Sequence, residues 1–255
     1  MSGTIAITMA GRGSRFVQAG YTVPKYEITA FNRPLFDWSM IGLKAFADQG
    51  WRFCFAMLDG TGAPDFIRSR CDRLGIQIDA IEALSGVSSG QAETASILAE
   101  QADSDRAFAV FNIDTFVRPG ALRPEAIRTG LGGWVPCFPA PGEHWSFARL
   151  NAAGQVVELR EKQRISDHAT IGFYWFSSAA LYLDTYQRFF RRADALERGE
   201  RYIAPMYNQL IEDQLPVEIE QLALADIGML GTPEDVAAFR SNVPAAAAQL
   251  LAQGW

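Results

Sequence analysis

Apolar runs and helical repeats alternate along the first half of the chain. Residues Thr4 to Ala10 (Thr-Ile-Ala-Ile-Thr-Met-Ala) form a stretch that predicts a buried first strand, and Trp51 to Leu58 reads the same way. Between them, Leu35 to Asp48 has helical spacing. The alternation continues with a helix over Pro64 to Leu74, an extended segment over Ile76 to Leu84, a helix over Gly90 to Ala102 and an apolar strand over Arg106 to Asp114. Such a series predicts βαβ units and a mainly parallel sheet, whose ligands gather beyond the carboxyl ends of the strands.

The pattern then changes. Trp145 to Leu150, the turn Asn151-Ala152-Ala153-Gly154 and Gln155 to Arg160 predict an inserted antiparallel β-hairpin, followed by a strand over Thr170 to Phe176. Helices over Ala179 to Leu196 and Ile203 to Asp213, a strand over Val217 to Leu224, and short helices over Val236 to Arg240 and Ala245 to Ala252 complete the reading. Pro244 separates the last two helices, because proline cannot continue one. The predicted fold class is α/β, a three-layer α/β/α arrangement with a mixed, mainly parallel sheet.

Composition narrows the function classes. At 255 residues, 49% hydrophobic and 20% charged, the chain has the make-up of one ordinary α/β unit. A net charge of −6 argues against broad nucleic-acid binding, so any grip on phosphate has to be local. No apolar run approaches the roughly 20 residues of a membrane span, and the first strand begins almost at the first residue. These features predict a cytoplasmic protein without a membrane or nucleic-acid partner; self-association is left open. Cys54, Cys71 and Cys137 are scattered and lack Cys-x-x-Cys spacing, which predicts buried thiols rather than a disulfide frame or a zinc site.

The strongest chemical signal follows the first strand. Ala10-Gly11-Arg12-Gly13-Ser14-Arg15-Phe16, then Pro24-Lys25, puts a glycine-rich turn at a strand's carboxyl end with three cations around it. Glycine lets backbone N–H groups approach phosphate oxygens, and Arg12, Arg15 and Lys25 supply positive charge. A dinucleotide fingerprint would want a small residue where Phe16 stands, and a Walker loop would want Gly-Lys-Ser/Thr; neither fits.

These residues, with Asn32-Arg33-Pro34-Leu35, resemble the signature of the sugar-phosphate nucleotidyltransferases, or nucleoside-diphosphate-sugar pyrophosphorylases. Asn112-Ile113-Asp114 at the end of an apolar strand, Glu161-Lys162, and Gly231-Thr232-Pro233-Glu234-Asp235 extend the resemblance over nearly the whole chain. The resemblance implies a single Rossmann-like, GT-A-like domain over 1–255. Within it, 1–115 would bind nucleotide and 116–240 the acceptor, with a C-terminal helix over 241–255. It implies a Mg²⁺-dependent enzyme that joins a nucleoside triphosphate to a phosphorylated sugar or similar small acceptor and releases pyrophosphate. Small bacterial members make activated precursors for capsule or other surface polymers. No hexapeptide repeat, which would mark an added acyltransferase domain, is present in the sequence.

Carried over residue by residue, the resemblance gives Ala10, Gly11, Arg12, Gly13 and Ser14 to the nucleotide, with Gly90 and Gln91 in the base-reading loop of 84–94. Arg15 would hold the departing phosphates, Lys25 the α-phosphate, and Asp114 the magnesium ion. Lys162 would meet the acceptor phosphate with Glu161 beside it; Arg164 and His168, which follow Lys162 closely in the sequence, are candidates for the same phosphate, with Gly172 also on the acceptor side. Two departures stand out. Met229-Leu230 occupies the place of a second magnesium aspartate, leaving Asp226 as a displaced candidate, and Arg12, Tyr26 and Glu27 replace small or apolar residues near the loop. Two rivals remain: a nucleotide-sugar-dependent glycosyltransferase, disfavoured because Asp114-Thr115-Phe116 lacks an Asp-x-Asp pair, and a nucleotide-sensing module without chemistry.

Overall fold

The computed structural model describes residues 2–60 and 62–255. In chain order its elements are β1 (Gly3–Thr8), α1 (Ser14–Gln18), β2 (Thr29–Ala30), β3 (Arg33–Pro34), α2 (Leu35–Met40), α3 (Lys44–Asp48), β4 (Arg52–Leu58), α4 (Ala63–Leu74), β5 (Ile78–Leu84), α5 (Gln91–Ala99) and β6 (Ala107–Asn112). There follow β7 (Thr115–Val117), β8 (Gly133–Pro139), β9 (Ser146–Leu150), β10 (Val156–Glu161), β11 (His168–Thr170), β12 (Phe173–Phe176), α6 (Ala179–Phe189), α7 (Tyr207–Glu212), β13 (Val217–Gln221), β14 (Ile227–Met229), α8 (Pro233–Ser241) and α9 (Ala245–Ala252).

A ten-stranded sheet carries the order β10-β9-β11-β8-β12-β6-β1-β4-β5, with β13 alongside β8. β6, β1, β4 and β5 are mutually parallel. The antiparallel β12 separates this block from β8 and the hairpin β9–β10. Traced through the pairings, seven strands run one way and only β10, β11 and β12 oppose them, which makes the sheet mixed and mainly parallel.

Period-two alternation explains why helices cover both faces. On β6, Ala109 and Phe111 join one apolar cluster with Phe36, Trp38 and Phe55, while Phe108 and Val110 join the other with Leu98, Tyr182 and Tyr207. Truncating a ring such as Phe108, fully buried, to alanine would cost about 3–5 kcal/mol.

Several predicted elements are interrupted. The helical run over Leu35 to Asp48 passes through a tighter 3-10 turn at Ile41–Leu43, beside Gly42, where a β-carbon would lie 3.0 Å from Val117. The strand over Thr170 to Phe176 breaks at Ile171-Gly172, where Gly172 takes φ +80. Helix α6 stops at Phe189, well before Leu196, leaving a long connection to α7 whose residues Arg198, Gly199, Glu200 and Tyr202 line a cleft at the carboxyl ends of β1 and β6. The hairpin turn forms as the sequence predicts: Asn151 Oδ1 accepts N–H bonds from Ala153 and Gln155, and Gly154 supplies φ +78.

Candidate active site

At the carboxyl ends of β1 and β6 the chain encloses a cleft of about 1320 Å³, larger than a pocket for one small ligand. Its first wall is the loop after β1. Gly13 caps the short helix α1 in the left-handed region, φ +60, and its carbonyl accepts from Phe16 N–H at 2.9 Å. A β-carbon at Gly11 would meet no protein atom within 4 Å, so the protein's own packing does not demand glycine there. The space above that backbone is the cleft. Arg12 and Arg15 line it, and neither guanidinium has a hydrogen bond or ion pair among the described residues.

Lys25 lies next to Gly13, whose β-carbon would sit 3.8 Å from the Lys25 Cβ, and its ammonium forms an ion pair with Asp114. Asp114 follows β6, and its backbone carbonyl accepts from Leu230 N–H at 2.7 Å, which ties it to the turn before α8. That turn is a capping box: Thr232 Oγ1 accepts from Asp235 N–H while Asp235 Oδ2 accepts from Thr232 N–H, with Pro233 in the first helical turn. The Gly-Thr-Pro-Glu-Asp segment thus has a physical job in starting α8. A β-carbon at Gly231 would lie 3.5 Å from Asp235 Oδ2 and 3.7 Å from Asp114 Oδ2, so two carboxylates flank one glycine.

The opposite wall is a bonded network. Ser146 Oγ donates to Glu161, and the Tyr174 hydroxyl donates to Ser146 Oγ at 3.2 Å and accepts from Thr170 Oγ1 at 2.9 Å. Burial lifts the Glu161 carboxyl above its ordinary range, against the lowering pull of Ser146 and Lys162. Burial also raises the Tyr174 phenol, so it remains a neutral donor. Lys162 projects from the end of β10 with φ +51, a conformation rare for a residue with a β-carbon, held by its N–H on Trp145 O at 2.9 Å. Its ammonium donates to the Tyr202 hydroxyl and lies 3.7 Å from Glu161.

No family model and no curated protein matches the chain. Among solved structures, it is similar to the nucleoside-diphosphate-sugar pyrophosphorylase from Vibrio cholerae RC9, with 35% identity over 93% of this chain and 100% of that one, at a TM-score of 0.86. The chain belongs to that family of sugar-phosphate nucleotidyltransferases. It is therefore an enzyme of nucleotidyltransferase type. More distant likenesses show the shared fold. The inositol-1-phosphate CTP transferase from T. maritima has a TM-score of 0.70 at 16% identity, over 91% of this chain and 90% of that one. A putative glucose-1-phosphate thymidylyltransferase from Bacillus anthracis, in complex with a sucrose, has a TM-score of 0.74 at 15% identity, over 96% of each chain.

Of the predicted site residues in this pyrophosphorylase-family chain, Ala10 to Arg15, Lys25, Gly90, Gln91, Asp114, Glu161, Lys162 and Gly172 all line the cleft. Three do not. Asp226 is held in a two-point ion pair by Arg118, at 2.6 and 3.2 Å, beside β14 and off the cleft, so its carboxylate is committed elsewhere. Arg164 spends its guanidinium on the carbonyls of Ala140 and Gly142 and on Asp167, bracing the lip that carries His144 and Trp145, and does not line the cleft. His168 pairs along β11, and its Nδ1 meets Gln221 at 2.7 Å. Leu230, at one of the places where the sequence lacks the second aspartate, is fully buried.

The sequence reading also missed residues. Thr8, whose Oγ1 accepts from Gln91 Nε2 at 3.0 Å, Ser146, Thr170, Tyr174, Arg198, Tyr202 and Asp235 all line the cleft. Asp235 belongs to the Gly-Thr-Pro-Glu-Asp segment that starts α8, whereas the others stand in strands or connections with no motif of their own.

The cysteines carry no chemistry. All three are free and buried, and burial raises the thiols of Cys54 to about 11 and of Cys71 to about 12, keeping both protonated.

Proposed function

We propose that this cleft joins the nucleotidyl group of a nucleoside triphosphate to a phosphorylated sugar or polyol, in a Mg²⁺-dependent reaction that releases pyrophosphate. The observation that carries the reading is the meeting, in one cleft, of a cationic glycine loop, a strand-end aspartate and a lysine–glutamate pair from the opposite wall. An acceptor phosphate oxygen attacks the α-phosphorus, a new P–O–P bond forms, and the bond to the β-phosphate breaks. The acceptor phosphate is ionised at neutral pH, so the barrier is crowded negative charge and the enzyme's task is positioning and neutralisation. Arg12, Arg15 and the loop N–H groups suit the departing phosphates, Lys25 the α-phosphate, and Lys162 the acceptor phosphate.

The donors present fit magnesium. Mg²⁺ is commonly held by one or two carboxylates together with substrate phosphates and water, and Asp114 offers a half-exposed carboxylate in the cleft. No group of three or more His, Cys, Asp or Glu residues forms a dedicated cage among the described residues, which suits an ion held jointly with the substrate. When bound, the ion would neutralise charge on the triphosphate. Glu161 and the Ser146–Tyr174–Thr170 row are suited to hydroxyl groups of the acceptor, and Gly90 with Gln91 to the nucleobase. In this reading 1–115 serves the nucleotide and 116–240 the acceptor. The family resemblance supports a role in making precursors of capsule or surface polymers, and the use of a triphosphate together with three free thiols supports a cytoplasmic setting.

The test is pyrophosphate release from CTP, UTP, dTTP, GTP or ATP with Mg²⁺ and a panel of sugar and polyol phosphates. Release that requires one acceptor supports the proposal. Binding of a triphosphate without release by any acceptor would make the protein a sensor, and consumption of a preformed nucleotide sugar would make it a glycosyltransferase.

A further inference from the structure

The connection between α6 and α7 returns across the cleft as a tight strap. Glu197 and Glu200 exchange backbone bonds of 3.1 and 3.0 Å around Arg198 and Gly199, whose φ values of +52 and +81 match a two-residue turn of the primed type. The next residue grips the base loop. Arg201 N–H donates to Ser89 O at 2.8 Å, and Arg201 O accepts from Ala92 N–H at 3.0 Å, on either side of Gly90. At Gly90 a β-carbon would fall 2.5 Å from Arg201 O and 2.6 Å from Arg201 N, so only glycine lets these two backbones meet. The Arg201 side chain adds an ion pair to Glu93 at 3.6 Å and a bond to the Tyr186 hydroxyl.

One residue further, Tyr202 holds Lys162. It accepts from the ammonium through its hydroxyl and sets its ring centroid 4.4 Å from Nζ. Neighbouring residues of one strap therefore touch the loop suited to the base and the lysine suited to the acceptor phosphate. Lys162 has two partners to choose between: Tyr202, and Glu161 at 3.7 Å. On Tyr202 the ammonium keeps its charge available; collapsed onto Glu161 it would be neutralised by a carboxylate.

We propose that Tyr202 is the positioning residue for Lys162, and that the strap of 197–202 couples the two substrates, so that a bound triphosphate tightens binding of the acceptor. The inference rests on the nucleotidyltransferase reading of the cleft. A base seated against Gly90 and Gln91 orders the Ser89–Ala92 backbone, which is bonded directly to Arg201, and the order passes one residue along the chain to the group holding Lys162. By linkage the acceptor must tighten the triphosphate to the same extent.

The experiment compares wild type with Tyr202→Phe and Tyr202→Ala, using whichever triphosphate and acceptor release pyrophosphate. Acceptor affinity is measured with and without a non-hydrolysable analogue of that triphosphate, and hydrogen exchange is followed in the hairpin peptide containing Lys162. In wild type the analogue should tighten the acceptor roughly ten-fold, within the usual span for coupled sites, and slow exchange in that peptide. Tyr202→Ala should bring the ratio close to one and raise acceptor KM while leaving affinity for the triphosphate alone unchanged. Tyr202→Phe, which keeps the ring, should recover part of the coupling, and this partial rescue separates positioning from a general loss of stability. If wild type shows no tightening, or if Tyr202→Ala keeps the full ratio and KM, the strap proposal is overturned while the enzymatic reading stands. A wild type that turns over no acceptor defeats both.

Discussion

Arg12 and Arg15 stand on a loop shaped by its glycines and have no ion-pair partner among the described residues, whereas across the cleft Glu161 and Lys162 are already bonded to Ser146 and Tyr202. One wall is open and cationic, built on the loop after β1. The other is assembled from β9, β10, β11, β12 and the α6–α7 strap. A triphosphate is highly charged and much alike whatever its base, so backbone N–H groups and loose guanidinium groups suffice to collect it. An acceptor presents a pattern of hydroxyl groups around one phosphate, and matching that pattern takes donors and acceptors fixed in advance. Under the proposed function, the contrast assigns charge neutralisation to the first wall and discrimination to the second.

The largest expected effect comes from the group at the junction of the two walls. Asp114→Asn should lower kcat by about 10²–10³-fold in a pyrophosphate assay while the melting temperature barely moves, because the side chain is 46% exposed. Full activity in that variant would remove the cation from the account. Next, Lys162→Ala should reduce kcat/KM for the acceptor by about 10- to 100-fold, the worth of one charge-assisted hydrogen bond, with triphosphate affinity intact by calorimetry. Equal losses for both substrates would erase the distinction between the walls.

Glu161→Gln should separate stability from function. Burial raises the Glu161 pKa in the folded state, so the group favours folding at acid pH, where it is protonated, and this contribution is lost as pH rises through the raised folded value. Relative to wild type, the Gln variant should therefore gain stability from mildly acidic to neutral pH in urea titrations, yet use the acceptor less well. A stability difference that does not vary with pH would mean Glu161 carries no such penalty. The smallest effect is expected at Asp226→Ala, which loses a partly exposed pair with Arg118 worth at most about 1 kcal/mol and should leave magnesium dependence and kcat unchanged. A shift in the magnesium requirement would restore Asp226 to the site.

Legibility in the sequence follows the same division. The first wall could be read almost entirely, because a glycine loop after an apolar strand, a Pro-Lys nearby and an aspartate ending another apolar strand are local signals, and Gly11, Arg15, Lys25 and Asp114 all reach the cleft. On the second wall Glu161-Lys162 was found as a motif, but Arg164 and His168, placed there through nearness in sequence to Lys162, turn to Ala140, Gly142 and Gln221 instead. Tyr202 reaches Lys162 from 40 residues away, which no spacing rule predicts, and Ser146 meets Glu161 across the hairpin in a register that a bulge between Val156 and Glu158 shifts. Asp226 lies off the cleft for a related reason: it is near the expected position in sequence, but Arg118, 108 residues away, holds its carboxylate.

By itself the sequence determined the α/β class, the two-faced burial of the strands, the glycine-rich turn and the residues at its edge, since each depends on hydrophobic periodicity or on the conformational range of a few consecutive residues. Tertiary structure alone decided which polar groups form the second wall, that the strap spans from the Gly90 loop to Lys162, and that Asp114 sits against Lys25. Those contacts join segments brought together by sheet order and by the early end of α6 at Phe189, and hydrogen bonds across such distances are fixed by the packing of the whole core rather than by any local pattern.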